Sequence, residues 1–196
     1  MAKNPQFELL KKQNKPYGGT LRNTRQGRSH ARPLATKHTM HVVLRSSKAK
    51  GKWSFLYKDN PKKIKNILTK FGKRYGVQIV SAANVGNHLH IQIKLFKIHM
   101  WKPFIRATTG AIAMAITGAS RWNKVSHKSE NGEKSTKTQK FWDYRPFTRI
   151  VTGFKAYLAL KDYIELNKWE GFGFDRKTAG TIVQVNKVGE RYWDSA

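Results

Sequence analysis

The chain has 196 residues, 39% of them hydrophobic, enough for one ordinary domain with its own core. Lys and Arg number 39 against 11 Asp and Glu, a formal charge of +28 that calls for a polyanionic partner. Because 12% of residues are aromatic and interleaved with the basic ones, nucleic acid fits that partner better than a lipid surface.

There is no cysteine, which excludes disulfides and thiolate metal sites and leaves any metal to His, carboxylate or amide ligands. The N-terminus shows no apolar signal core. The longest weakly polar stretch, Ala111 to Ala119, is too short to span a bilayer. The expectation is a cytoplasmic protein with no membrane partner.

Residues 1–38 are basic and turn-rich, with Pro5, Pro16, Gly18, Gly19, Gly27 and Pro33 among recurring arginines, and read as a flexible basic arm. Thr39 to Arg45 is rich in β-branched and apolar residues and predicts the first strand. Asn60 and Pro61 mark a helix start, with Asn60 as the cap. That helix runs to Tyr75 with Ile64, Ile67, Leu68 and Phe71 on one face, and Gly76 ends it. Val77 to Ala83 is a second strand, joined by Asn84 to Asn87 to a third.

The third strand, His88 to Leu95, alternates polar and apolar residues strictly. His88, His90, Gln92 and Lys94 therefore share one face, and Leu89, Ile91, Ile93 and Leu95 the other. Two imidazoles side by side can chelate a divalent ion, and the same pair exposed on a basic strand can simply touch phosphate. His41, on the first strand, could approach the same site, with a structural role as its first reading.

A second helix covers Trp101 to Thr117, and the polar stretch Ser120 to Lys140 is a loop. Phe141 to Val151 predicts a fourth strand. A third helix opens at Gly153, runs to Lys168, and is broken by Gly171-Phe172-Gly173-Phe174. In the tail, Thr181 to Val185 reads as a short strand in an otherwise mobile segment. The order β-α-β-β-α-β plus a helix predicts an α+β, ferredoxin-like antiparallel sheet, with two helices on one face and the polar histidine face left for ligands. The divisions expected are 1–38, 39–170 and 171–196.

On the last main helix Leu160, Tyr163 and Asn167 lie three and four residues apart and form one stripe, whereas Tyr157 lies well round the helix. If that stripe faces the open sheet, Tyr163 and Asn167 come down over His88 and His90. Lys94, Lys97, Lys102, Arg106, Arg121, Lys124 and Lys128 are candidates to line a nucleic-acid path, with solvated surface charge the alternative for each. Trp101, Trp122 and Trp142 are candidates to stack on bases or to fill the core.

Asn87-His88-Leu89-His90 resembles the histidine–hydrophobe–histidine motif of the HUH single-strand nucleases. With Tyr163-Ile164-Glu165-Leu166-Asn167 it is similar, over roughly residues 39–170, to the single-tyrosine transposases of that superfamily, especially the REP-associated tyrosine transposases. The chain departs from the pattern at Val85-Gly86, where the family has Met-Pro, and at Lys168, where Pro commonly follows the Asn.

The resemblance implies that Tyr163 is the nucleophile and that His88, His90 and Asn167 hold a divalent metal, Mg²⁺ or Mn²⁺. It implies cleavage and rejoining of single-stranded or hairpin-forming DNA through a 5′-phosphotyrosine, by a monomer or by a homodimer that exchanges the tyrosine helix. Two other readings stand beside it: a domesticated nucleic-acid-binding protein of the same fold without catalysis, and a structural RNA-binding protein.

Overall fold

The computed structural model describes residues 32–119 and 140–193. Four strands, β1 (Thr39–Arg45), β2 (Val77–Asn84), β3 (His88–Leu95) and β4 (Phe147–Val151), form one antiparallel sheet in the order β2-β3-β1-β4. Helices α1 (Asn60–Tyr75) and α2 (Trp101–Thr117) follow β1 and β3 respectively. The fold is thus the expected α+β, ferredoxin-like arrangement. Two further helices, α3 (Phe154–Gly171) and α4 (Arg176–Trp193), follow β4.

The alternating pattern decides which face is which. Met40, Val42 and Leu44 of β1 join Leu89, Ile91, Ile93 and Leu95 of β3 in the core, with Ile64 and Leu68 of α1 and Phe104, Ile112 and Ile116 of α2. Burying these side chains removes their apolar surface from water and supplies the main drive for folding. Successive strand residues face opposite ways, so His41, Val43 and Arg45 of β1 and His88, His90 and Gln92 of β3 are left on the second face. The register pairs Arg45 with His88, Val43 with His90 and His41 with Gln92, and on the other side of β1 pairs His41 with Arg149.

The second face is not open. Helix α3 crosses it in contact with β2, β3 and β4, and buries Ile164 and Asn167. Gly171, at the end of α3, lies so close to Asn84 at the end of β2 that a Cβ there would clash with the Asn84 carbonyl oxygen. The turn before β3 is held by its own polar groups: the Gly86 amide donates to Asn84 Oδ1 at 3.1 Å and the Val85 amide to the His88 carbonyl at 3.0 Å. Gly86 takes a φ of +86° there, a conformation open to glycine at little cost.

Several boundaries differ from the sequence reading. Helix α1 starts at Asn60, and the Asn60 amide, instead of capping it, donates to the carbonyls of Lys52 and Ser54. β4 begins only at Phe147, because Pro146 has no N–H for a ladder. The residues before it pack elsewhere: Phe141 and Trp142 lie against the core, and Asp143 accepts from the Ser47 amide.

The expected strand at Thr181 to Val185 is instead part of α4. Asp175 accepts hydrogen bonds from the Lys177 and Thr178 amides, the bonding of a helix start. Ala179 and Val183, four apart, are buried. Lys187 ion-pairs with Asp162 of α3. Residues 32–38, assigned to the arm, also touch the sheet: Thr148 donates to the Pro33 carbonyl, and Arg32 lies over the Phe147 ring. Residues 1–31 lie outside the described part, as does most of the loop read at 120–140. Among the described residues no helix is long and apolar enough to cross a membrane.

Candidate functional site

The site forms where α3 lies over β3 and β1. The Tyr163 ring stands edge-on to two imidazoles, with centroid separations of 5.4 Å to His90 and 6.1 Å to His41. His88 and His90 are neighbours on β3, 4.9 Å apart and nearly perpendicular. Tyr163 itself is 40% exposed, so its ring borders both the imidazoles and solvent. The predicted stripe on α3 is therefore slightly rotated. Ile164 and Asn167 take the buried centre, and Tyr163 stands at its edge.

The histidine hydrogen bonds have a common form. His88 Nδ1 is 2.6 Å from Asn87 Oδ1, an acceptor, so the proton sits on Nδ1 and leaves the Nε2 lone pair. His90 Nδ1 is 3.0 Å from His41 Nε2, and the two rings stack with an interplanar angle of 20°. His90 Nε2 is buried and has no hydrogen-bond partner. A buried polar atom without a protein partner is unusual. Asn167 donates its side-chain N–H to the Tyr163 carbonyl at 2.6 Å, which leaves the amide oxygen as its acceptor atom. Among the described residues no three His, Asp or Glu side chains are grouped to hold a metal, so a metal held by the two imidazoles would take its further ligands from another kind of donor, such as an amide oxygen. Neutral imidazole nitrogens with an amide oxygen are a donor set that suits Mn²⁺ as well as other first-row divalent ions.

The site is kept neutral or cationic by its surroundings. Burial pushes the His90 pKa down to about 3, helped by His41 and His88. Burial pushes His41 down to about 4, helped by the Arg149 guanidinium. His88 is lowered by burial and by Arg45. All three are neutral at pH 7 and able to donate a lone pair. The same shifts tie stability to pH. Below the ordinary histidine pKa near 6.5 the unfolded chain takes up protons that the folded chain excludes. Stability should therefore be full above pH 6.5 and fall as the pH drops toward 4. Urea unfolding between these values should show a shallower slope in His41→Gln than in wild type, and an unchanged slope would remove His41 as a contributor.

Other candidates are dispersed. Lys94 lies on the histidine face of β3, where its Nζ donates to the Lys37 carbonyl. Lys97 follows β3, and Lys102 and Arg106 lie on α2, which covers the opposite sheet face, so neither is brought to the imidazoles. Arg121, Lys124, Lys128 and Trp122 lie outside the described residues. Trp101 is buried in the core, and Trp142 packs on Phe55 with its indole N–H donating to the Thr109 carbonyl.

Sequence reasoning missed Arg45 and Arg149, which flank His88 and His41 across the sheet. It allowed that His41 could approach the site but read it first as structural, and His41 contacts both His90 and Tyr163. The signal for all three was the alternation in β1 and β4, but it becomes usable only once strand register is known.

No protein-family model matches the sequence, and no curated protein matches it. Solved structures do. A REP-associated tyrosine transposase bound to a REP hairpin superposes with a TM-score of 0.53 at 14% identity, over 73% of each chain. A candidate transposase of Deinococcus radiodurans R1 matches at 17% identity over 74% of this chain and 97% of that one, with a TM-score of 0.41. At 14% identity the first likeness is one of fold, and the chain has the fold of a REP-associated tyrosine transposase.

Proposed function

We propose that the chain is a metal-dependent transposase or nickase that cleaves and rejoins single-stranded DNA at hairpin-forming sequences, through a 5′-phosphotyrosine on Tyr163. The observation that carries this reading is the Tyr163 ring set against His90, whose buried Nε2 has no partner. The fold likeness to a tyrosine transposase bound to a DNA hairpin supports it, as does the net charge of +28.

His88 Nε2, His90 Nε2 and the Asn167 amide oxygen would hold Mn²⁺ or Mg²⁺. When bound, the ion neutralises charge at a non-bridging oxygen of the scissile phosphate. A phenol is a weak nucleophile at neutral pH, so the phosphate must be both positioned and electrostatically softened. Arg45 and Arg149 add positive charge on the same sheet face, where a DNA backbone would be attracted.

The Tyr163 oxygen then attacks phosphorus and forms the O–P bond as the P–O3′ bond breaks. The phenolic proton is balanced by protonation of the released 3′-oxygen. The phosphotyrosine keeps the energy of the broken linkage, so a 3′-OH can reverse the step on another strand without an outside energy source.

The test is incubation with end-labelled single-stranded hairpin DNA and Mn²⁺. A protein–DNA adduct that survives denaturation supports the reading. Binding without any adduct would sink it, and would favour a non-catalytic DNA-binding protein of the same fold.

A further inference from the structure

We infer that His41 is a positioning residue for the metal site, accepting the His90 Nδ1 proton so that His90 presents an unprotonated Nε2. This rests on the metal reading of His88 and His90 above. Two tautomeric arrangements satisfy the 3.0 Å contact between His41 Nε2 and His90 Nδ1. In one, His41 donates and His90 carries its proton on Nε2. That proton would then be buried with no acceptor, because His90 Nε2 has no partner. In the other, His90 donates from Nδ1, and its Nε2 carries an unprotonated lone pair.

The second arrangement avoids an unsatisfied buried donor. It also repeats what Asn87 does for His88, whose Nδ1 proton is held by the Asn87 amide oxygen. Each imidazole of the pair thus has its own acceptor behind it, one an amide and one another imidazole. Metal-binding histidines commonly use such a partner to fix tautomer and ring angle. The stacking of His41 on His90 and its edge contact with Tyr163 let one ring support both a candidate ligand and the candidate nucleophile.

The experiment uses the full chain with histidine labelled by ¹⁵N. Long-range ¹H–¹⁵N spectra at neutral pH should show His90 as the Nδ1–H tautomer in wild type. A proton on Nε2 would overturn the inference, and this measurement needs no variant to fold. Titration with Mn²⁺ alone, followed by electron paramagnetic resonance, should show ten- to a hundred-fold weaker binding in His41→Phe. His41→Gln, which can present an amide oxygen near the place of Nε2, should recover most of the loss. Wild-type affinity in His41→Phe would overturn the inference while leaving the metal reading intact. Failure of wild type to bind Mn²⁺ would overturn both.

Discussion

Tyr163→Phe should abolish the covalent protein–DNA adduct while leaving hairpin binding within about two-fold of wild type. The substitution removes one oxygen and keeps the ring that packs edge-on against His90 and His41. Tyr163 is 40% exposed, so the fold should be undisturbed. Removal of a nucleophile leaves no route to a covalent intermediate, and the loss should reach the detection limit of the assay, at least about a thousand-fold. Tyr157, on the same helix, stacks on Phe154 instead, with ring centroids 6.4 Å apart. Tyr157→Phe should therefore form adduct at close to the wild-type rate. Denaturing gels of both variants with labelled DNA separate the outcomes, and an adduct in Tyr163→Phe equal to wild type would end the assignment of Tyr163.

The parts of this site that lie within one element were legible in the sequence. Strict alternation placed His88 and His90 on one face of β3, and helical spacing put Tyr163 and Asn167 on neighbouring positions of α3. Those periodicities are properties of a single strand or helix, and burial reinforces them. What could not be read was contact between elements. His41 joins His90 only because β1 and β3 pair in a register that offsets the two by one diagonal position. Arg149 enters through a second pairing on the far side of β1.

The error at α4 has a different origin. Thr181, Ile182, Val183 and Val185 are β-branched, and local propensity reads them as a strand. Propensity is weak beside tertiary context, and here the Asp175 hydrogen bonds and the burial of Ala179 and Val183 win. The Asp175-Arg176-Lys177-Thr178 start, with an acidic residue able to take amide protons, was the available signal for a helix.

Gly171→Ala should weaken the protein and slow adduct formation together, although alanine is the better helix former. Gly171 is the last residue of α3. In a free helix the exchange would gain up to about 1 kcal/mol. Here the added methyl meets the Asn84 carbonyl oxygen and lies 3.5 Å from the Val85 Cα. Both are backbone atoms in the turn that leads into His88, and that turn is held by the Asn84 side chain on both sides, through Phe55 and Gly86. A flexible side chain could swing away, but this turn cannot do so without breaking those bonds. Overpacking of this kind costs about 1–3 kcal/mol, which exceeds the propensity gain. The relief available is for the C-terminal end of α3 to lift from β2. Tyr163 and Asn167 lie on the same helix, two turns and one turn earlier, so lifting its end tilts both away from the imidazoles. A lower urea midpoint with a slower adduct rate is the expected pair of results. A midpoint equal to or above wild type would show that α3 can shift freely on the sheet, and that its close approach at Gly171 does not set the position of Tyr163.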